Sequence, residues 1–137
     1  WVGPSIADAG CDIRIVTNWG DPLAPADPCG AYFPLVWAEG DLTVEGGRGQ
    51  GVLIVTGDLE LAGGFEFYGP VWVGGSLRTA GRGGRIRGSV VASRASLDQR
   101  EVLAEPVIGF STCAITRALE STAPATPLTG RSWLDLY

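Results

Sequence analysis

One phrase is written three times in this chain. "AEGDLTVEGG" spans residues 38–47, "VTGDLELAGG" 55–64 and "VGGSLRTAGR" 73–82. Aligned on Val36, Leu53, Val71 and Val90, the copies step by 17, 18 and 19 residues. A period of that length constrains the fold more than any local signal, because one repeat cannot bury its own apolar face. Stacking against neighbours must supply the core.

Within each copy the pattern alternates as a strand does. One parity reads Val36, Ala38, Gly40, Leu42, Val44, then Leu53, Val55, Gly57, Leu59, Leu61, then Val71, Val73, Gly75, Leu77, Thr79. These positions are mostly apolar or glycine and are predicted to face inward. The other parity holds Glu39, Asp41 and Thr43, then Thr56, Asp58 and Glu60, then Gly74, Ser76 and Arg78, and is predicted to face outward. Gly40, Gly57 and Gly75 recur in one column and predict a bend. The Gly-Gly and Ala-Gly pairs that follow mark a turn. A second, weaker strand comes next, with Phe65 and Phe67 aligned to the Arg85–Ile86 region, and Gly51, Gly69 and Gly88 close each coil.

The predicted fold is therefore mainly β: a short parallel β-solenoid of about four coils, with a C-terminal α-helix and a disulfide-pinned N-terminal loop. A right-handed coil is expected by analogy. A hairpin meander would favour Asn-Gly or Asp-Gly turns, and neither dipeptide occurs. A parallel α/β fold needs crossover helices for which the spacing leaves no room.

The whole reads as a single domain in three parts. Residues 1–34 pack on or cap the solenoid, 35–110 form it, and 111–137 supply a helix and a short tail strand. Residues 1–10 show no periodicity. "DIRIVTNW" reads as a short strand through Ile13 and Ile15. Residues 19–34, with four of the nine prolines, read as a long ordered loop. The period is lost through "RASLDQREVLAEPVIGF". Ser111 is a fitting N-cap for a helix whose face carries Ile115, Ala118, Leu119 and Thr122, and Pro124 stops it.

Composition removes whole classes of chemistry. The chain has no His, Met or Lys. Without His there is no Ser-His-Asp or Cys-His catalysis and no His-ligated metal. Without Lys there is no Schiff base and no Walker lysine. The missing Met implies that the chain is processed or excerpted at Trp1. No apolar run approaches the roughly 20 residues of a membrane span. A net charge of −5 argues against nucleic acid as a partner, although arginines gather between Arg78 and Arg100.

Three cysteines leave one over. Cys11 and Cys29 bracket a loop rich in Pro, Asp and Gly, and a bridge there would contribute roughly 3 kcal/mol by loop entropy. Cys113 is then unpaired, or is the alternative partner of either. Three buried free thiols are the competing arrangement.

The remaining candidates are weighed against structural roles. "GGRGQG" and "GRGGRIRG" resemble phosphate loops, but their glycines fall on the repeat's own corners. Asp41 and Asp58 stack in register about one coil, roughly 4.8 Å, apart. They read as caps for turn amides ahead of an acid–base pair. Glu60 with Arg78, and Glu66 with Arg85, read as charge pairs between coils. The outward column Trp37, Ile54, Trp72, Val91 is the irregularity. Either the C-terminal helix or an N-terminal strand covers it, or it is an interface for another subunit or a sugar. No catalytic residue, cofactor site or metal site is expected.

The stretch "CDIRIVTNWGDPLAPADPCGAYFPLVWAEGDLTVEGGRGQGVLIVTGDLELAGGFEFYGPVWVGGSLRTAG" resembles the β-solenoid region of bacterial proteins with a PilX-type, type IV pilin-like N-terminal segment. The ending "CAITRALESTAPATPLTGRSWLDLY" resembles their C-termini. Bactofilins are more distantly similar, through coil length. The hydrophobic pilin helix itself is not in this chain. The resemblance implies an exported, extracellular or cell-surface structural protein associated with a pilus. It would self-assemble or join other pilin-like subunits, and meet a membrane only through an N-terminal segment absent from this chain. Glycan binding on a flat solenoid face is the alternative function.

Overall fold

A computed structural model describes residues 1–97 and 107–122. Its core is a parallel β-solenoid of about four coils, each triangular in section. The strands are β1 (Ile6–Ala7), β2 (Gly10–Cys11), β3 (Leu35–Ala38), β4 (Leu42–Glu45), β5 (Arg48–Gln50), β6 (Val52–Val55), β7 (Leu59–Ala62), β8 (Phe65–Ala80), β9 (Gly84–Ser96) and β10 (Ile108–Phe110). One helix, α1, spans Thr112–Ser121. The first face stacks β3, β6 and the middle stretches of β8 and β9, the second β4, β7 and the ends of β8 and β9, the third β5, the starts of β8 and β9, and β10.

The repeat alignment is the strand register. Val36 pairs with Leu53, Leu53 with Val71, and Val71 with Val90. Inward positions of the middle coils are buried: Leu53, Val55, Leu59, Leu61, Val71, Val73 and Leu77, with Phe65, Phe67 and Ile86 from the third face. Inward residues of the outer coils (Val36, Ala38, Leu42, Val90 and Ala92) are only partly buried, because each lacks a neighbour on one side.

The bend expected at the Gly40 column divides residues 35–45 into β3 and β4. A Cβ at Gly57 would stand 2.3 Å from Asp41 Oδ1, and one at Gly75 would stand 2.2 Å from Asp58 Oδ1. The glycine is needed because the aspartate of the preceding coil reaches into its place. The coil-closing glycines obey a similar rule: a Cβ at Gly69 would meet Gly51 O at 2.0 Å. The third-face register sets Phe67 against Ile86 and Phe65 against Gly84. The segment "GGRGQG" is a corner, the strand β5 and a second corner, not turn alone.

The period returns after its apparent loss. Ile108–Phe110 pairs in parallel with Ile86–Gly88. An interval of 22 residues, well beyond the repeat's own step, hides this strand in the sequence. Helix α1 follows at once, with the Ser111 side chain accepting a hydrogen bond from Ala114 N at 3.2 Å. It ends at Ser121, and Pro124 and the proposed tail strand lie outside the described residues.

The N-terminal part departs most from expectation. Residues 6–11 form an antiparallel hairpin, β1–β2, turning at Asp8 and Ala9, both with positive φ. The predicted strand over Asp12–Trp19 is instead a series of turns. Asp12 accepts from the Arg14 backbone N–H and its guanidinium, and this local bonding displaces a ladder. Ile13, Ile15 and Val16 are exposed, so the alternation there has no core to face. The Arg14 hydrogen bond holds the Asp12 carboxyl below its ordinary range.

The Cys11–Cys29 disulfide is present. Cys113, on the first turn of α1, is exposed and unpaired.

Candidate interaction face and solenoid end

The residues Trp37, Ile54, Trp72 and Val91 stand in register on the first face. Trp37 is 55%, Trp72 46% and Val91 61% exposed, with Ile54 between them half-buried. Neither the helix nor the N-terminal segment covers them. Helix α1 packs against β8 and β9 at a different place, where Ala118 is buried and its Cβ lies 3.2 Å from the position a Cβ would take at Gly69. That corner offers Ala118 a flat glycine seat, while Leu119, expected on the same buried face, is exposed.

A second apolar column flanks the first. Leu35 pairs with Val52, and Pro70 with Ser89. Leu35 is largely exposed, and Val52 and Pro70 are half-buried. Alternation could have exposed this column, since Leu35, Val52 and Pro70 share parity with the tryptophans. Proline and the domain boundary at residue 34 masked it. Neither column contains an ionisable side chain, and Glu39 marks the rim. The Trp72 indole lies across Gly74, whose Cβ would stand 3.4 Å from Trp72 Cη2. Trp37 and Trp72 are two coil steps apart, about 10 Å.

The aspartate column is structural. Asp41 Oδ1 accepts from Asp58 N at 2.8 Å, and Asp58 Oδ1 accepts from Ser76 N at 2.7 Å. Arg78 reaches Asp58 Oδ2 at 2.9 Å, not the expected Glu60 with which it is in register. Arg85 does meet Glu66, at 3.6 Å. Committed to backbone amides and an arginine, these carboxylates are poorly placed for acid–base work. Among the described residues no group of three His, Cys, Asp or Glu side chains could hold a metal, and no helix is long and apolar enough to cross a membrane.

The first coil has an asymmetric end. On the third face, Arg48 N donates to Val2 O and Gln50 N to Trp19 O, both at 2.8 Å. Trp19 fills the space above Gly49 and meets Phe65 and Phe67 edge-on, at 5.9 and 6.3 Å. Buried Gln50 donates through Nε2 to the carbonyls of Cys29, Gly30 and Tyr32. Arg48 pairs with Asp21 at 3.0 Å. Inside the cap, buried Asn18 donates to Ser5 O and Asp12 O. On the other two faces, among the described residues, β3 pairs only with β6, and β4 only with β7. Sequence reading missed Gln50, and a lone polar side chain between two corner glycines gives no signal of burial.

Compared with protein-family models, curated proteins and solved structures, the chain matches none.

Proposed function

We propose that this is a non-enzymatic structural module, extracellular or displayed at a cell surface, that assembles through its β-solenoid as a pilin-like or filament-forming subunit. The observation that carries the reading is the two-column apolar face around Trp37, Ile54, Trp72 and Val91, flat, uncharged and uncovered among the described residues. The outer side of a solenoid face is ordinarily polar, so large apolar groups exposed in a row on it call for a partner. The resemblance to PilX-type proteins favours a second copy or another pilin-like subunit. The Cys11–Cys29 bridge favours an oxidising compartment. Negative-stain imaging at rising concentration is expected to show assemblies that Trp72→Ser abolishes. Assemblies unaffected by Trp72→Ser would remove this face from the account.

One observation favours a second reading. Two exposed indoles about 10 Å apart on a flat face suit the stacking of sugar rings. Tryptophan fluorescence that changes on titration with a glycan, and not in Trp37→Ser, would support a glycan-binding module. A flat response across a glycan panel would sink it.

A further inference from the structure

Among the described residues, the end of the first coil is open on two of its three faces. Along β3 the carbonyls of Pro34, just before it, and Ala38 accept from Val52 and Thr56, so alternation turns the peptide groups of Leu35 and Trp37 toward the side where no described strand pairs. In β4, Leu42 N donates to Asp58 O, which leaves Thr43 and Glu45 facing the same open side. Among the described residues only β5 has its outer donors taken, by Val2 and Trp19.

At the other end of the stack, the β9 stretch Ser89–Ser96 carries the same columns. Val90 and Ala92 occupy the inward columns of Val36 and Ala38, and Val91 that of Trp37. Coil on coil is a contact this chain already makes three times over. A last coil laid beneath a first coil would repeat it, completing the half-buried ends of both. The obstacle lies on the third face, where Val2 and Trp19 sit in the place that the β10 strand of a second copy would take.

We propose that the first coil is a guarded docking edge for the last coil of a second copy, with the disulfide-locked segment 1–34 as its guard. This rests on the self-assembly reading above and adds the end, the partner strand and the control. Segment 1–34 holds to the first coil through Val2, Gln50, the Arg48–Asp21 pair and Trp19, which packs on Phe65 and Phe67, and the bridge closes the loop that presents Trp19 and Asp21. A dithiol reductant would convert the bridge to two thiols and itself become a disulfide, with two electrons and two protons transferred. The cap then lifts, β5 joins the open edge, and copies stack head to tail. Such a contact does not close on itself, so it propagates.

The test uses the full chain carrying Cys113→Ser and Trp72→Ser, which remove thiol cross-linking and the lateral face. Hydrogen exchange is read with and without dithiothreitol, and mass by sedimentation velocity. At concentrations low enough that the reduced chain is still monomeric, the Arg48 and Gln50 amides are expected to lose about tenfold or more of their protection while Leu59 and Leu61 keep theirs. The mass is expected to rise with concentration beyond that of a dimer. Adding Leu35→Pro, which removes an outward-facing donor of β3 and spares the β3–β6 ladder, is expected to return the reduced protein to a monomer. Unchanged protection at Arg48 and Gln50, loss of protection throughout the core, or stacking indifferent to Leu35→Pro would each overturn the proposal. None of these results bears on the lateral face, which stands or falls with Trp72→Ser in the oxidised protein.

Discussion

Gly57 shows how closely one residue type is specified. Its Cβ position is already taken by Asp41 Oδ1 at 2.3 Å and by Gly40 C at 2.6 Å. Gly57→Ala must displace backbone or break the aspartate ladder, and a loss of about 1–3 kcal/mol is expected in urea unfolding. Gln50 is the polar counterpart. Gln50→Leu strips the donor from three carbonyls around the buried amide. A loss of at least about 2 kcal/mol is expected, centred on the N-terminal segment. The two differ in how readable they are. Gly57 lies in a column of glycines that the repeat exposes, so its special role could be inferred from sequence. Gln50 touches residues 18 to 21 positions away in a segment with no period, and nothing local announces those partners.

Elements divide along the same line. Strands β3, β4 and β6 to β9 are legible because each inward position is buried by an apolar neighbour in register one coil away, so pattern and packing coincide, whereas β5 lies between corner glycines and reads as turn. Strand β10 is not legible either, because an interval of 22 residues breaks the period although Ile108 still pairs with Ile86. The turns after Cys11 defeated the alternation rule because Asp12 bonds locally to Arg14 and the isoleucines find no core. That local pairing makes a pH prediction. The Asp12 carboxyl should titrate below its ordinary 3.8, its contribution present above that value and lost as pH falls through the depressed pKa. Carboxyl NMR shifts should show this, and Arg14→Ala should restore ordinary titration. In the β1–β2 hairpin, Ala9 adopts φ of 63°. Ala9→Gly is expected to raise stability by up to about 1 kcal/mol in thermal unfolding, since only glycine takes that conformation without a Cβ clash.

On the scale of the whole molecule, the repeat produces a stack whose sides and ends are chemically different. One side carries two uncharged apolar columns. Among the described residues, one end is sealed on a single face by Val2 and Trp19, with the edges of β3 and β4 left without a strand. The sequence displayed the first column through Trp37 and Trp72, but not whether anything covered it, because the helix's seat at Gly69 depends on a three-dimensional corner. The central claim is that the exposed face joins one copy to another. Sedimentation velocity of the oxidised chain across a concentration series, beside a Trp37→Ser/Trp72→Ser variant, tests it most directly. The account predicts a sedimentation coefficient that climbs with concentration for the parent and stays at the monomer value for the variant, with both equally folded by circular dichroism. A parent that remains monomeric at every concentration, or a variant that associates as readily, would contradict it.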